Sequence, residues 1–414
     1  MFSALEIVLI VVYIITLYYT IFWLIAFVDY APPVKVLPKK LPKVSVIIPA
    51  YNEEKAIARS IESVLALDYP KRLLQVIVVD DGSTDRTLAV ARKVTASHGR
   101  VKVLSQPNGG KWRAMNAGIT ASSGEYVACL DADSYVKPDA LNVMLPNFTD
   151  GMVAAVLPML YVDRPGNMLQ KMQWHEYVIN MFYRKIAGML NCIHVTPGPF
   201  SVYRKSILTG IGGFREGHAT EDLEICLRLQ SRHYRIVQVT DAEVFTEAPA
   251  KMSELYKQRL RWNLGSTLNI LSYRHMLFNR KYGDFGVFQL PIIFLATFLA
   301  VAILLVTFYL SILRPNYERL VHLKLVNFDI LSLLQNLKFS FSLLDIDYFR
   351  LFIGISFFAV STSLVVMAHR AIRKKVNTHG LPALLAFMFV YYLFLGYVRL
   401  VVIKNLILRK RSRW

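Results

Sequence analysis

Apolar residues along this chain gather into runs of different length, and each kind predicts a different element. Ile7 to Val28 is almost unbroken apolar sequence. About 22 residues rising 1.5 Å each give roughly 33 Å, enough for a helix to cross the hydrocarbon core of a bilayer. Short β-branched runs follow at Val44 to Ile48, Gln75 to Val79, Val101 to Leu104 and Tyr126 to Leu130. Between the first two, Ile57, Ile61, Val64 and Leu65 recur at helical spacing within Glu53 to Leu67. Strands alternating with helices predict βαβ units and a mostly parallel sheet, whose ligands bind at the carboxyl ends of the strands. Beyond about residue 250 the runs lengthen again. Gly286 to Leu313, Phe352 to Met367 with its flanks, and Leu381 to Ile403 are candidate spans. Residues 326–346 are shorter and broken by charge, which predicts an interfacial or re-entrant segment. Arg164 to Leu190 mixes Trp174, His175, Tyr177 and Phe182 with Arg and Lys. It reads as an amphipathic helix under the bilayer, with His175 an interfacial residue rather than a metal ligand.

The pattern divides the chain into a transmembrane helix (1–30), a basic proline-stiffened linker (31–43), a cytosolic α/β domain (44–250, with the interface helix at 164–190), interface helices (251–283) and a C-terminal membrane region of about three spans (284–414). Composition agrees: 54% of the 414 residues are hydrophobic, and they are clustered rather than spread over one core. The formal charge of +19 sits largely beside the apolar runs, at Lys35, Lys39, Lys40 and Lys43, at Arg370 to Lys375, and at Lys404 to Arg413. Such flanks meet anionic headgroups, and with no nucleic-acid motif in view they exclude nucleic acid as the partner. The first run is too long for a signal peptide, and Met1 to Glu6 carries no positive charge. Basic residues follow that run, so the N-terminus is expected outside and the α/β domain in the cytosol. Three C-terminal spans place the basic tail outside; two spans, or a further crossing near 326–346, place it inside. Cys129, Cys192 and Cys226 fit neither a zinc site nor a disulfide framework, which agrees with a reducing compartment.

The polar motifs fall at the strand ends. Pro49-Ala-Tyr51-Asn-Glu53 ends the first strand, and Asp80-Asp81-Gly-Ser-Thr-Asp85 ends the next. Carboxylates there can accept hydrogen bonds from a base N–H or ribose hydroxyls, although Asp-Gly-Ser is also an ordinary turn into a helix cap. Asp131-Ala-Asp133 follows the fourth strand directly, and two carboxylates at i and i+2 can turn toward one hard cation. Mg²⁺ or Mn²⁺ bound so would neutralise a diphosphate leaving group. Thr220-Glu-Asp222 opens a helical run, either as a cap or as the general base for an acceptor hydroxyl. In Gln258-Arg-Leu-Arg261-Trp262, an amide and a guanidinium can hold a diphosphate and an indole can stack on a sugar. An interfacial Trp and Arg belt is the competing reading of that segment.

In this order, Asp80-Asp81-Gly82-Ser83, Asp131-Ala132-Asp133, Thr220-Glu221-Asp222 and Gln258-x-x-Arg261-Trp262 resemble the family 2 glycosyltransferases. The likeness is to the membrane-integrated branch that includes hyaluronan, chitin, cellulose and poly-N-acetylglucosamine synthases, and it runs from about Val44 to Leu264. The resemblance implies an α/β GT-A domain with α-helical transmembrane segments and amphipathic interface helices. It implies an inverting transfer, a single displacement that turns an α-linked nucleotide sugar into a β-glycoside. By position, Asp80 and Asp81 resemble the nucleoside contacts, beside Pro49, Tyr51 and Glu53, and Asp133 resembles the metal ligand, with Asp131 next to it. Asp222 resembles the catalytic base. Lys111, in Asn108-Gly-Gly-Lys111, resembles a donor-contacting lysine, and Gln258, Arg261 and Trp262 resemble diphosphate and acceptor-sugar contacts. Thr196-Pro-Gly-Pro-Phe-Ser201 aligns with the loop bordering the acceptor, without the cysteine that some synthases carry there.

The expected function is therefore multi-pass membrane synthesis of a β-linked glycan from a UDP-sugar, with the polymer passing through the spans. UDP-N-acetylglucosamine or UDP-glucose is favoured, since Lys257 to Trp262 is most similar to the poly-N-acetylglucosamine and chitooligosaccharide synthases. The alternative is a single transfer to a lipid acceptor, as by ceramide glucosyltransferases or polyprenyl-phosphate glycosyltransferases. A third reading, an inactive scaffold, conflicts with the intact motif carboxylates.

Overall fold

The computed structural model describes residues 4–28, 40–325 apart from 97 and 100, and 348–408. The segment 326–346, most of the 31–43 linker and the basic residues beyond Leu408 lie outside the described residues. A helix α1 (Ala4–Val28) precedes an alternating unit of β1 (Val44–Ala50), α2 (Ile57–Leu65), β2 (Leu74–Asp80), α3 (Thr87–Thr95), β3 (Val101–Ser105), α4 (Lys111–Ala121) and β4 (Tyr126–Cys129). There follow β5 (Ser134–Val136), α5 (Ala140–Met144), β6 (Val153–Val162), α6 (Met168–Met189), β7 (Ser201–Arg204), α7 (Lys205–Gly210), α8 (Glu221–Ser231), β8 (Arg235–Thr246) and α9 (Met252–Ser272).

All eight strands form one sheet in the order β3-β2-β1-β4-β7-β6-β8-β5. Its first four strands are parallel, as the alternation predicts. The second half is mixed: β7 runs antiparallel to β4 and β6, β5 is antiparallel to β8, and β6 is parallel to β8. Central strands are apolar throughout because both faces are covered. Val44, Val46 and Ile48 pack with Ile57, Ile61 and Val64 of α2. Ile47, Ile77 and Val79 pack instead with Ala114, Met115 and Ile119 of α4 and with Ile225 of α8.

Three helices among the described residues are long and apolar enough to cross a membrane: Phe285–Val306, Leu351–Ala371 and Leu381–Ile407. In α1 the apolar stretch Ile10–Phe22 is shorter, and Tyr19 and Phe22 lay their rings against Phe288 at 4.7 and 4.2 Å.

The α6 helix departs from the picture of a helix resting on a lipid surface. It starts with a capping box between Asn167 and Gln170 and is buried between the sheet and the membrane helices. His175 is wholly buried, not interfacial, with its Nδ1 3.0 Å from His369 Nε2. His369 Nδ1 lies 2.7 Å from the Val365 carbonyl and must donate to it. Its Nε2 is then an acceptor, so His175 Nδ1 donates. An apolar stripe looks the same whether lipid or protein covers it, and here protein does. At its start, α6 also fixes the approach to α9: Gln170 Nε2, Gln173 Nε2 and Asn167 Nδ2 donate to the carbonyls of Ala248, Pro249 and Ala250 at 2.8, 2.8 and 2.9 Å.

Candidate active site

From β1 the chain builds outward to β2 and β3, then returns on the other side of β1 as β4. That reversal leaves a crevice at the carboxyl ends of β1 and β4, the usual ligand position in such sheets. Pro49 is buried near the end of β1, and Tyr51 is exposed at the mouth. Asn52 takes a left-handed conformation (φ 55°), from which its N–H donates to Ser83 Oγ at 3.0 Å and its Oδ1 accepts from Thr84 N at 2.8 Å. Glu53 N donates to Thr87 Oγ1 at 2.7 Å, so the loops after β1 and β2 are knitted together.

Asp80 and Asp81 are both buried but differently engaged. Asp81 Oδ1 accepts from Gln106 Nε2 and Gly109 N, at 2.7 and 3.1 Å, and Oδ2 from Gly110 N at 2.8 Å. Its carboxylate thus holds the Asn108-Gly-Gly-Lys111 loop. Gly82 (φ 74°) makes room for that loop, since a Cβ there would lie 2.6 Å from Asn108 N. Asp80 Oδ2 accepts from Ser105 Oγ at 3.1 Å, while its buried Oδ1 has no hydrogen-bond partner among the described residues.

The loop held by Asp81 delivers Lys111 to the start of α4. Its Nζ is 2.5 Å from Asp131 Oδ1 and 3.5 Å from Glu221 Oε1. Burial alone would lower the Lys111 pKa, but Asp131 and Glu221 hold it well above its usual range. Gly198, in the Thr196 to Ser201 loop, packs directly on this ion pair: a Cβ there would lie 2.6 Å from both Lys111 Nζ and Asp131 Oδ2. Asp222, second residue of α8, is tied to the same loop, since its carbonyl accepts from Thr196 Oγ1 at 2.9 Å and Thr196 N at 3.2 Å. Burial, then the neighbouring Glu221, raise the Asp222 pKa, with Lys111 and Arg261 acting against them. Asp222 Oδ1 also accepts from Leu223 N at 2.9 Å, so it contributes to capping α8 as well.

Negative charge dominates the crevice. Asp133 Oδ1 accepts from Ser134 Oγ at 2.9 Å, yet burial and then Asp131 raise its pKa. Glu53 is pushed up to about 7 by burial, then by Asp133, Glu247 and Asp131. Oxygen-only ligands with surplus negative charge suit Mg²⁺ or Mn²⁺. Among the described residues no three His, Cys, Asp or Glu groups converge into a ready-made metal site.

The far wall is α9. Arg261 Nη1 donates to the Ala219 carbonyl at 3.2 Å, and Asn269 Nδ2 donates to the Gly217 carbonyl and Thr220 Oγ1 at 2.6 and 2.8 Å. These bonds brace Gly217, His218 and Ala219, consecutive left-handed residues (φ 55°, 49° and 64°) just before Thr220-Glu-Asp222. Two non-glycine residues in that region are costly unless the surroundings enforce them. Gln258 and Trp262 both contact Arg259, the first by a 2.5 Å hydrogen bond and the second under its guanidinium at 4.2 Å.

Lys111, Asp131, Asp133, Asp222 and Glu53 thus share the crevice, whereas Tyr51 stays at its mouth and Asp81 turns into the glycine loop. Sequence reasoning missed Glu221, Glu247, Arg259 and Arg184. Glu221 lies within a motif already singled out. Burial lowers the pKa of the Arg184 guanidinium of α6 to about 10, with the charge of Asp222 opposing. No spacing rule marks Arg184 or Glu247, because only the packing of α6 and the end of β8 brings them near.

Residues 45–212 match the family described as glycosyl transferase family 2. The chain is 33% identical over 231 residues to the poly-beta-1,6-N-acetyl-D-glucosamine synthase of Staphylococcus aureus (strain COL), covering 55% of each chain. To the Staphylococcus epidermidis synthase of the same description it is 32% identical over 227 residues, 54% of each. The chain spans about half the length of these curated relatives. Among solved structures it is similar to a mannosyltransferase from Pyrobaculum calidifontis in complex with GDP-Man and Mn²⁺, with a TM-score of 0.61 over 96% of both chains and 18% identity. At that identity the likeness speaks to the fold, a GT-A sheet with appended helices.

Proposed function

We propose, from the match of residues 45–212 to glycosyl transferase family 2 and the GT-A fold of the sheet, that this chain transfers N-acetylglucosamine from UDP-N-acetylglucosamine to a growing β-linked glycan at a membrane. One observation carries the reading: Lys111, Asp131, Gly198 and the Glu221-Asp222 turn close around one point of the crevice. The choice of sugar follows the synthase relatives.

Asp80 offers its bare Oδ1 to the nucleoside, and Asp81 shapes the loop around it. Asp131 and Asp133 would hold Mg²⁺ or Mn²⁺, which when bound neutralises the departing diphosphate. Lys111 keeps Asp131 aimed and adds positive charge beside the leaving group. Asp222 takes the proton from the acceptor hydroxyl as that oxygen attacks the anomeric carbon from the face opposite the diphosphate, which inverts the configuration. Trp262 gives the acceptor sugar a flat surface, and Gln258 supplies amide N–H donors. The basic flanks support a cytosolic position for the domain, and on this reading α1 with the three C-terminal helices would carry the product across.

The test is incubation of the purified full chain with labelled UDP-N-acetylglucosamine, UDP-glucose and other UDP-sugars, with Mn²⁺ or Mg²⁺. An elongating, sugar-specific product is expected; no product from any donor overturns the reading. A second reading, single transfer to a lipid, is favoured by a cavity of about 530 Å³ among α1, α6 and the membrane helices. Its lining, including Leu17, Ile179, Phe182, Leu364 and Val365, suits an acyl or isoprenoid chain. One sugar on an organic-extractable product would select it.

A further inference from the structure

Gln258 and Trp262 are joined through Arg259, a residue the Gln-x-x-Arg-Trp pattern leaves unspecified. Arg259 is 2% exposed. Its guanidinium pairs with Glu176 of α6, reaches Tyr391 Oη at 3.2 Å and Gln258 Oε1 at 2.5 Å, and lies 4.2 Å from the Trp262 ring centre. Tyr391 Oη in turn donates to Glu176 Oε2 at 2.8 Å. Arg259 Nε has no acceptor among the described residues, so Glu176 is the anion this buried cation depends on.

Two features show that the network is built rather than incidental. Tyr391 closes a π-helical turn, Phe387–Tyr391, within the Leu381–Ile407 helix, and such turns shift the side chains that follow. Tyr391 is 1% exposed whereas the next residue, Tyr392, is 50% exposed, so the phenol of Tyr391 is on the inward face of the helix. Arg259 donates to Gln258 Oε1, which fixes the amide and leaves its N–H groups as donors for the oxygens of the acceptor sugar.

We propose that Glu176, Arg259 and Tyr391 form a positioning clamp through which the Leu381–Ile407 membrane helix fixes the Gln258 amide and the Trp262 ring for sugar transfer. The proposal rests on the glycosyltransferase reading above. None of the three touches the reacting atoms; they act through Gln258 and Trp262. Arg259→Lys keeps a charge for Glu176 but cannot serve four partners, and Tyr391→Phe removes only a hydroxyl.

The experiment measures, on the full chain in detergent with Mn²⁺, transfer from UDP-N-acetylglucosamine, hydrolysis of that donor to water, and UDP binding. Arg259→Lys is expected to lower transfer roughly ten- to hundredfold, the scale of a small misplacement, and Tyr391→Phe by less. UDP binding and donor hydrolysis stay near the unmutated values, so the ratio of transfer to hydrolysis falls. Transfer near the unmutated rate in both variants overturns the clamp. So does parallel loss of transfer and UDP binding in both, which marks a purely structural role. Failure of the unmutated chain to make any glycan is a separate result and overturns the glycosyltransferase reading instead.

Discussion

Asp222 has the environment a carboxylate needs to work as a base near neutral pH. Burial and Glu221 raise its pKa, while Lys111 and Arg261 keep it from staying protonated. Asp222→Asn keeps the shape and removes the proton acceptor. It is expected to lower kcat by roughly 10²–10⁴ while UDP binding persists, as read by titration calorimetry. As the proposed base Asp222 would act ionised, so the rate is expected to rise with pH through its pKa, with the acid limb above the ordinary carboxylate range near about 4. Glu221→Gln removes one raising influence, so its limb shifts to lower pH in a kcat profile; a shift upward contradicts the assignment. Asp80, Asp81, Asp131 and Asp133 were legible because they sit where apolar strands stop, whereas Asp222 and Gln258 to Trp262 lie on helices and were legible only as motifs. Their division of labour was not: Asp80 and Asp81 are adjacent and chemically identical, and only folding commits one to the glycine loop. Arg261 likewise braces the turn before the base through the Ala219 carbonyl, a partner no spacing reveals.

At the scale of elements, β1 and β2 could be read directly, since strands buried on both faces are written as nearly unbroken apolar runs, and β3 and β4 as short apolar runs between helical segments. The antiparallel half was hidden. β6 is ten buried residues with no period to distinguish strand from helix, and β5 is three residues long and starts inside a motif. For α6 the helix was legible but its surroundings were not, because apolar and aromatic positions answer equally to lipid and to protein. Its start carries a separable prediction. Asn167 caps α6 and also holds Ala250 ahead of α9. Asn167→Ala is expected to cost about 1 kcal/mol, the usual value of a lost cap, seen as a lower thermal unfolding midpoint in detergent.

For the whole molecule, the open quantity is orientation, and the three cysteines make it measurable. Cys129, Cys192 and Cys226 are all buried, so the native chain has little thiol for a water-borne reagent to find. Gly151 is exposed, and a side chain there meets nothing within 4 Å. Gly151→Cys is expected to react with a membrane-impermeant maleimide only after cells are permeabilised. Labelling of intact cells would place the domain outside and reverse the topology.

The order of the sheet also bears on how the protein is made. The nucleotide half comes from one stretch, β1 to Asp133, with partners close in sequence, so it can form as soon as that stretch leaves the ribosome. The opposite wall waits: Tyr391 follows Trp262 by more than a hundred residues, on the order of ten seconds of synthesis. On the proposed function, a nascent chain in that interval would grip a nucleotide while the surface meant for the second sugar is still loose. On the proposed function the Leu381–Ile407 helix is then what completes the acceptor wall, and a chain stalled before it would hold its donor without spending it.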